Sequence, residues 1–137
     1  MISSFEWTKD MSVGDETIDR QHQQLLKEID ILLSVLIAGA DETAIASAVA
    51  FLSDYIATHL AYEEEYMRQH GYPDIDFHIS LHRDFIDHYE LFKKEVTDGV
   101  PRKELISEIA QYVGAWWLKH ILIEDKKYAR YVAEHRK

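Results

Sequence analysis

Residues 59–82 read HLAYEEEYMRQHGYPDIDFHISLH, and their spacing decides how the chain folds. His59 and Glu63 stand four apart, as do His78 and His82, with Gly71-Tyr72-Pro73-Asp74 between the two pairs. On an α-helix, residues four apart lie about 40° apart around the axis and one turn along it, so each pair directs two donor groups into one small volume. Gly71 suits a helix C-terminus, Pro73 cannot continue a helix, and Asp74 is an expected N-cap for the next. The stretch therefore predicts two antiparallel helices that present imidazoles and a carboxylate to each other, as in a metal site inside a helix bundle.

The same period extends outward in both directions. From about Thr17, His22, Leu25, Leu26, Ile29, Leu33 and Leu36 form a helical stripe that ends at Gly39-Ala40-Asp41, where Asp41 can cap the next helix. That helix carries Ile45, Val49, Leu52, Ile56, His59, Glu63 and Met67; the one after Asp74 carries His78, Leu81, His82, Phe85, Tyr89, Phe92 and Val96. Pro101 fits the first turn of a fourth helix, with a stripe of Leu105, Ile109, Val113, Trp116, His120, Ile123 and Tyr128. The first sixteen residues, lacking a period, read as an ordered arm and not a helix. The expected architecture is all-α: one domain over residues 1–137, an up-down-up-down four-helix bundle with an N-terminal arm and helices at about 17–38, 41–70, 74–98 and 101–134.

A chain of 137 residues, 47% of them hydrophobic, supports one ordinary core. With no cysteine, disulfides, zinc-thiolate sites, iron–sulfur clusters and thiol catalysis are excluded, and any metal must be held by nitrogen and oxygen. The formal charge of −10 argues against nucleic acid and anionic membrane surfaces as partners. No secretory leader is visible at the N-terminus and no segment reaches the roughly 18 apolar residues of a membrane span, so a cytoplasmic location is expected.

Each of the four helices places a histidine on its core-facing stripe. One buried imidazole is ordinary. Burying His22, His59, His78, His82 and His120 together with Glu63 would leave many polar atoms to be paired, and a cation satisfies them jointly. Five imidazoles are too many for one tetrahedral zinc and too nitrogen-rich for calcium or magnesium, so two transition-metal ions are indicated.

The ordered pattern Ile18-Asp19-x-x-His22, His59-x-x-x-Glu63, Gly71-Tyr72-Pro73, His78-x-x-x-His82 and His120-x-x-x-x-Asp125 resembles the hemerythrins, specifically the single-domain bacterial ones, from Trp7 to about Tyr128. The resemblance implies reversible O2 binding at a non-haem di-iron centre (Fe2+/Fe3+) with a bridging oxo or hydroxo group, and no enzymatic role. Carried over by position, His78, His82 and His120 would bind one iron, His22 and His59 the other, and Glu63 and Asp125 would bridge them. Two octahedral irons would then leave one position open, beside His22 and His59.

Three assignments rest on less. On a regular helix the residue aligned with His120 is Glu124, about 40° away, whereas Asp125 lies about 140° away; the family spacing selects Asp125, and a local π-bulge would help it. Trp117 stands where hemerythrins usually carry leucine. With Ile121 it is a candidate to line the O2 pocket, the alternative being that its indole turns aside to fill core volume. Asp19 either orients His22 or caps the first helix.

The remaining residues are read as structural. His70 belongs to a helix C-terminus, His88 and His135 are solvated, Glu64 and Glu65 form a charged outer face, and Trp116, Tyr62, Tyr66 and Tyr128 are core or rim aromatics. A ferritin-like oxidase would repeat Glu-x-x-His, and none of the eight histidines has a Glu three residues before it. With no signalling domain attached, a free-standing carrier, store or scavenger of O2 is expected, monomeric or weakly homo-oligomeric. An O2 or redox sensing module and a nitric oxide or iron handling protein are the alternative functions.

Overall fold

Gly71 takes φ +64°, a left-handed conformation that a side chain would strain, and it closes the second helix. The amide of Tyr72 donates to the carbonyl of Met67 (3.0 Å) and that of Gly71 to Arg68 (3.1 Å), so the last carbonyls are satisfied and the chain leaves at a sharp angle. The computed structural model describes residues 5–135. Residues 1–4 of the expected arm and the last two of the expected domain range lie outside the described residues.

Four helices follow, without strands among the described residues: α1 Glu16–Ile37, α2 Glu42–Gln69, α3 Ile75–Thr97, and a long fourth helix, α4, at 102–134. Connections of four or five residues fold each helix back on the one before. Asp15 caps α1, its carboxylate accepting from Ile18 N–H at 3.0 Å, and Asp41 caps α2, accepting from Ala44 N–H at 2.9 Å. Asp74 departs from expectation: it precedes α3 but makes no side-chain cap bond. The arm is also not wholly irregular, since Lys9–Met11 forms one 3-10 turn.

α4 is not one uniform α-helix. Its segments are α over Arg102–Glu108, π over Ile109–Val113, α over Gly114–Lys119, π over His120–Asp125 and α over Lys126–Glu134. The buried residues explain the need. Leu105, Ile109, Val113, Trp117, Ile121 and Asp125 are all buried at successive intervals of four. At about 100° per residue, such a run drifts about 40° per step and would carry Asp125 to the far side of the helix. Each π turn takes up an extra residue and restores the register. The expected stripe therefore holds at His120 and Tyr128, both buried, but fails at two positions beyond Val113: Trp116 is only partly buried and Ile123 is 46% exposed, while Trp117 and Ile121 are fully buried.

Two apolar clusters fill the bundle. The larger runs along its length through Leu25, Leu32, Leu52, Ile56, Phe85, Phe92, Ile109 and Trp117. The smaller, of Val13, Ile18, Tyr66, Met67, Tyr72, Tyr128 and Val132, closes the end where α1 begins and α2 and α4 finish. Between them lies a layer of buried polar residues. α2 is long and apolar enough over one 18-residue window to match a membrane span by composition, contrary to the sequence expectation, but its His59, Glu63 and apolar stripe are buried against the other helices.

Candidate metal centre

That polar layer holds the seven residues expected from the sequence: His22 on α1, His59 and Glu63 on α2, His78 and His82 on α3, His120 and Asp125 on α4. All are buried, none more than 3% exposed. Each pair four apart comes from a regular helix, which stacks the side chains one turn apart. Asp125 joins them because the π turn over His120–Asp125 aligns residues five apart, bringing Asp125 Oδ1 to 3.1 Å from His120 Nε2. Glu124 faces outward and pairs with Lys127.

The two carboxylates divide the histidines between their oxygens. Glu63 Oε1 lies 3.1 Å from His78 Nε2 and 3.0 Å from His82 Nε2, while Oε2 lies 3.4 Å from His22 Nε2 and 3.3 Å from His59 Nε2. Asp125 repeats the division, with Oδ1 at 3.0 Å from His78 and Oδ2 at 3.1 Å from His22. Donor atoms thus gather into two overlapping groups, one of Glu63, His78, His82, His120 and Asp125, the other of His22, His59 and Glu63, each within 4.8 Å. The Nε2 atoms of His82 and His120 face each other at 3.1 Å.

Charge explains why this cluster suits cations. Burial opposes protonation of His22 and His78, yet the Asp125 and Glu63 carboxylates, 3.0–3.4 Å from their Nε2 atoms, overcome it and push both imidazoles up to about 9. His120 is raised in the same way, whereas burial holds His59 below its ordinary value. Burial would raise both carboxyls; the surrounding imidazoles instead hold Glu63 and Asp125 below the usual carboxylate range. Both nitrogens of His22, His59 Nε2 and both oxygens of Asp125 are buried without a hydrogen-bond partner. Orphaned donors and acceptors at this density are costly unless a shared ion satisfies them. Imidazole and carboxylate together fit first-row transition metals such as iron.

Several neighbours were missed or misread in the sequence. Glu64, expected on the outer face, accepts from His82 Nδ1 at 3.0 Å. Gln21 accepts from His59 Nδ1 at 2.8 Å. Tyr128 is a buried core aromatic as expected, but its hydroxyl also donates to Glu63 Oε2 at 3.0 Å. Asp19 serves neither expected role: it accepts from the Ser12 hydroxyl and, at 2.9 Å, from Val13 N–H, tying the arm to α1. His88 is half-buried, pairs with Glu108 and stacks on Tyr112 at 3.5 Å. His70 and His135 bond backbone carbonyls at the ends of α2 and α4, and both are exposed.

Trp117 does not turn away. Its ring centroid lies 5.7 Å from that of His59 and 5.9 Å from that of His120, one imidazole from each group, and its indole N–H is buried without a partner. Ile121 is fully buried in the larger apolar cluster.

Comparison with known proteins agrees with this architecture. The family described as Hemerythrin HHE cation binding domain matches residues 13–132. The chain is 27% identical over 129 residues to a bacteriohemerythrin of Stenotrophomonas maltophilia, covering 94% of this chain and 82% of that protein. It is 27% identical to a bacteriohemerythrin of Clostridium acetobutylicum, covering 90% of this chain and 98% of that protein. To a myohemerythrin of Theromyzon tessulatum it is also 27% identical, with 90% of each chain covered.

Proposed function

Because the chain belongs to the hemerythrin HHE family, we propose that it binds O2 reversibly at a non-haem di-iron centre and acts as a carrier, store or scavenger of O2. The observation that carries this reading is the division of Glu63 and Asp125, each with one oxygen toward the His78 group and one toward His22. Two carboxylates so placed suit two ions side by side. His78, His82 and His120 would hold one, His22 and His59 the other, with both carboxylates shared. When bound, two ferrous ions supply the pair of electrons that O2 binding draws on.

The protein's own part is to orient the ligands and exclude water. Gln21 and Glu64 accept from the outer nitrogens of His59 and His82, which leaves Nε2 of each free to face the centre. Tyr128 fixes Glu63 from the closed end. Trp117 stands over His59 and His120, and with Ile121 it would wall the pocket beside the two-histidine position with apolar surface. Such a wall would exclude water and proton donors, which favours release of O2 over its cleavage. The nitrogen-rich donor set argues for binding over oxidase chemistry. This reading makes the chain a binding protein and not an enzyme, cytoplasmic, monomeric or weakly homo-oligomeric, and without nucleic acid or membrane partners, consistent with its charge of −10.

Anaerobic reconstitution with ferrous iron, followed by absorption spectra through repeated O2 addition and removal, tests it. About two irons per chain and a visible band that appears and disappears reversibly are expected. A band that forms once and does not reverse would overturn reversible binding.

A further inference from the structure

His59 and His82 have different partners behind them. The Nδ1–H of His59 meets a neutral amide, Gln21 Oε1 on α1, at 2.8 Å; the Nδ1–H of His82 meets a carboxylate, Glu64 Oε2 on α2, at 3.0 Å. Both bonds fix the same tautomer, with the proton on Nδ1 and the Nε2 lone pair turned inward. They differ in charge. An amide dipole only orients the ring, whereas a carboxylate draws the proton toward itself and raises electron density on the opposite nitrogen. His82 is fully buried and the Glu64 side chain is 26% exposed, so water only partly screens this charge.

We propose that Glu64 is a positioning residue that makes the group of His78, His82 and His120 the more electron-rich of the two, so that an ion held there would be the first to give up an electron to O2, the acceptor in the proposed function. Gln21, bearing no charge, leaves the His22 and His59 side the weaker donor and the more reluctant to lose its electron. The asymmetry rests on the di-iron reading, but it concerns how the two positions differ and not what they bind. It follows from two side chains outside the ligand set. Its functional effect is to direct the order of electron loss: the outer charge selects the three-histidine side, and the shared carboxylates Glu63 and Asp125 connect that side to the open one.

The test compares Glu64→Gln, which keeps an acceptor but removes the charge, with Gln21→Glu, which adds a charge behind His59. Zinc-loaded protein labelled with 15N gives a readout independent of oxygen. The Nδ1 proton of His82 should appear far downfield and exchange slowly, move upfield in Glu64→Gln, and be lost to exchange in Glu64→Ala. In iron-loaded protein, the first one-electron potential should rise in Glu64→Gln by about a tenfold change in equilibrium constant, about 59 mV. Gln21→Glu should narrow the separation between the first and second steps. A Glu64→Gln protein that holds two metals per chain with an unchanged potential and an unshifted His82 proton would overturn the proposal. Fewer than two zinc ions per wild-type chain would overturn the two-metal reading and the proposal with it. Two zinc ions without reversible O2 binding by the iron form would overturn the oxygen reading alone, leaving the His82 proton and the potentials to decide the role of Glu64.

Discussion

His120 and Asp125 are five residues apart in the chain, yet Nε2 of one lies 3.1 Å from Oδ1 of the other. Their separation on a regular helix would place the carboxylate about 140° away. The π turn that spans them makes Asp125, and not Glu124, the fourth helix's carboxylate at the centre. Asp125→Ala should therefore lose the paired metal site, while Glu124→Ala, which removes only an outer pair with Lys127, should keep two metals per chain. Metal content by elemental analysis decides between them; retention of two ions by Asp125→Ala would count against the shared role.

Trp117 is the largest fully buried side chain beside the centre. Trp117→Leu should open a cavity beside His59 and His120 at a stability cost on the order of 2–3 kcal/mol, below that of truncating such a ring to alanine. With iron bound, azide should associate faster with the ferric form and the oxygenated form should decay sooner. Unchanged rates in a folded, iron-replete variant would mark the indole as core filling alone.

The metal-free protein should respond to pH through His22 and His78. Both are held at about 9 against an ordinary 6.5, so folding favours their protonated forms. The stability they contribute is complete below about 6.5 and is lost as pH rises through about 9. Glu63 and Asp125 are depressed, so their contribution holds above the ordinary carboxylate range and is lost on acidification. Urea denaturation of metal-free protein should show a midpoint that falls between pH 6.5 and 9. Metal must displace the same protons, so calorimetry in buffers of different ionisation heat should detect proton release on zinc binding at pH 7.

Removing the Tyr128 hydroxyl isolates one support of Glu63. Tyr128→Phe should cost about 1.5–3 kcal/mol, as for a hydrogen bond to a charged group, with the ring still packed against Tyr66 and Tyr72. Thermal denaturation with and without zinc measures it. A metal-loaded variant as stable as wild type would show that the bound ions make the hydroxyl redundant.

Gly114 is needed for space, not for flexibility. A Cβ there would stand 2.1 Å from Cζ of Phe5, whose amide also bonds both oxygens of Asp30. Gly114→Ala should force the Phe5 ring off α4 and cost about 1–3 kcal/mol. Combining it with Phe5→Ala should cost less than the two changes added, because they break one contact. Additive losses in chemical denaturation would argue against the packing.

The helices and six of the seven centre residues were legible because their periodicity is strictly local: His59 and Glu63, or His78 and His82, need only a regular helix to converge. Asp125 required the family spacing, since regular geometry favours Glu124. The stripe of α4 went astray at Trp116 and Ile123 for the same reason, as a π turn is not signalled by residue type. Gln21, Glu64 and the hydroxyl of Tyr128 escaped because their roles depend on which imidazole nitrogen lies across a helix interface, a relation set by packing and not by spacing. Asp19 was read too locally. Its partner is the arm, which composition alone leaves without a position.

The wide turns of α4 also let this helix absorb a change of length in a way the other three cannot. Past Asp125 the helix is regular again, and the turn before it holds one residue more than an α turn needs. Deleting a single residue from 121–124 would let that turn close to a regular one and keep Tyr128 and Val132 in phase, the hydroxyl toward Glu63 and the apolar plug at the closed end; the same deletion within α1, α2 or α3 would rotate all that follows by about 100°. Substitutions at exposed Leu122 or Ile123 would leave that phase intact. Along this stretch the far end of the helix keeps its place whether one side chain changes or one residue is lost.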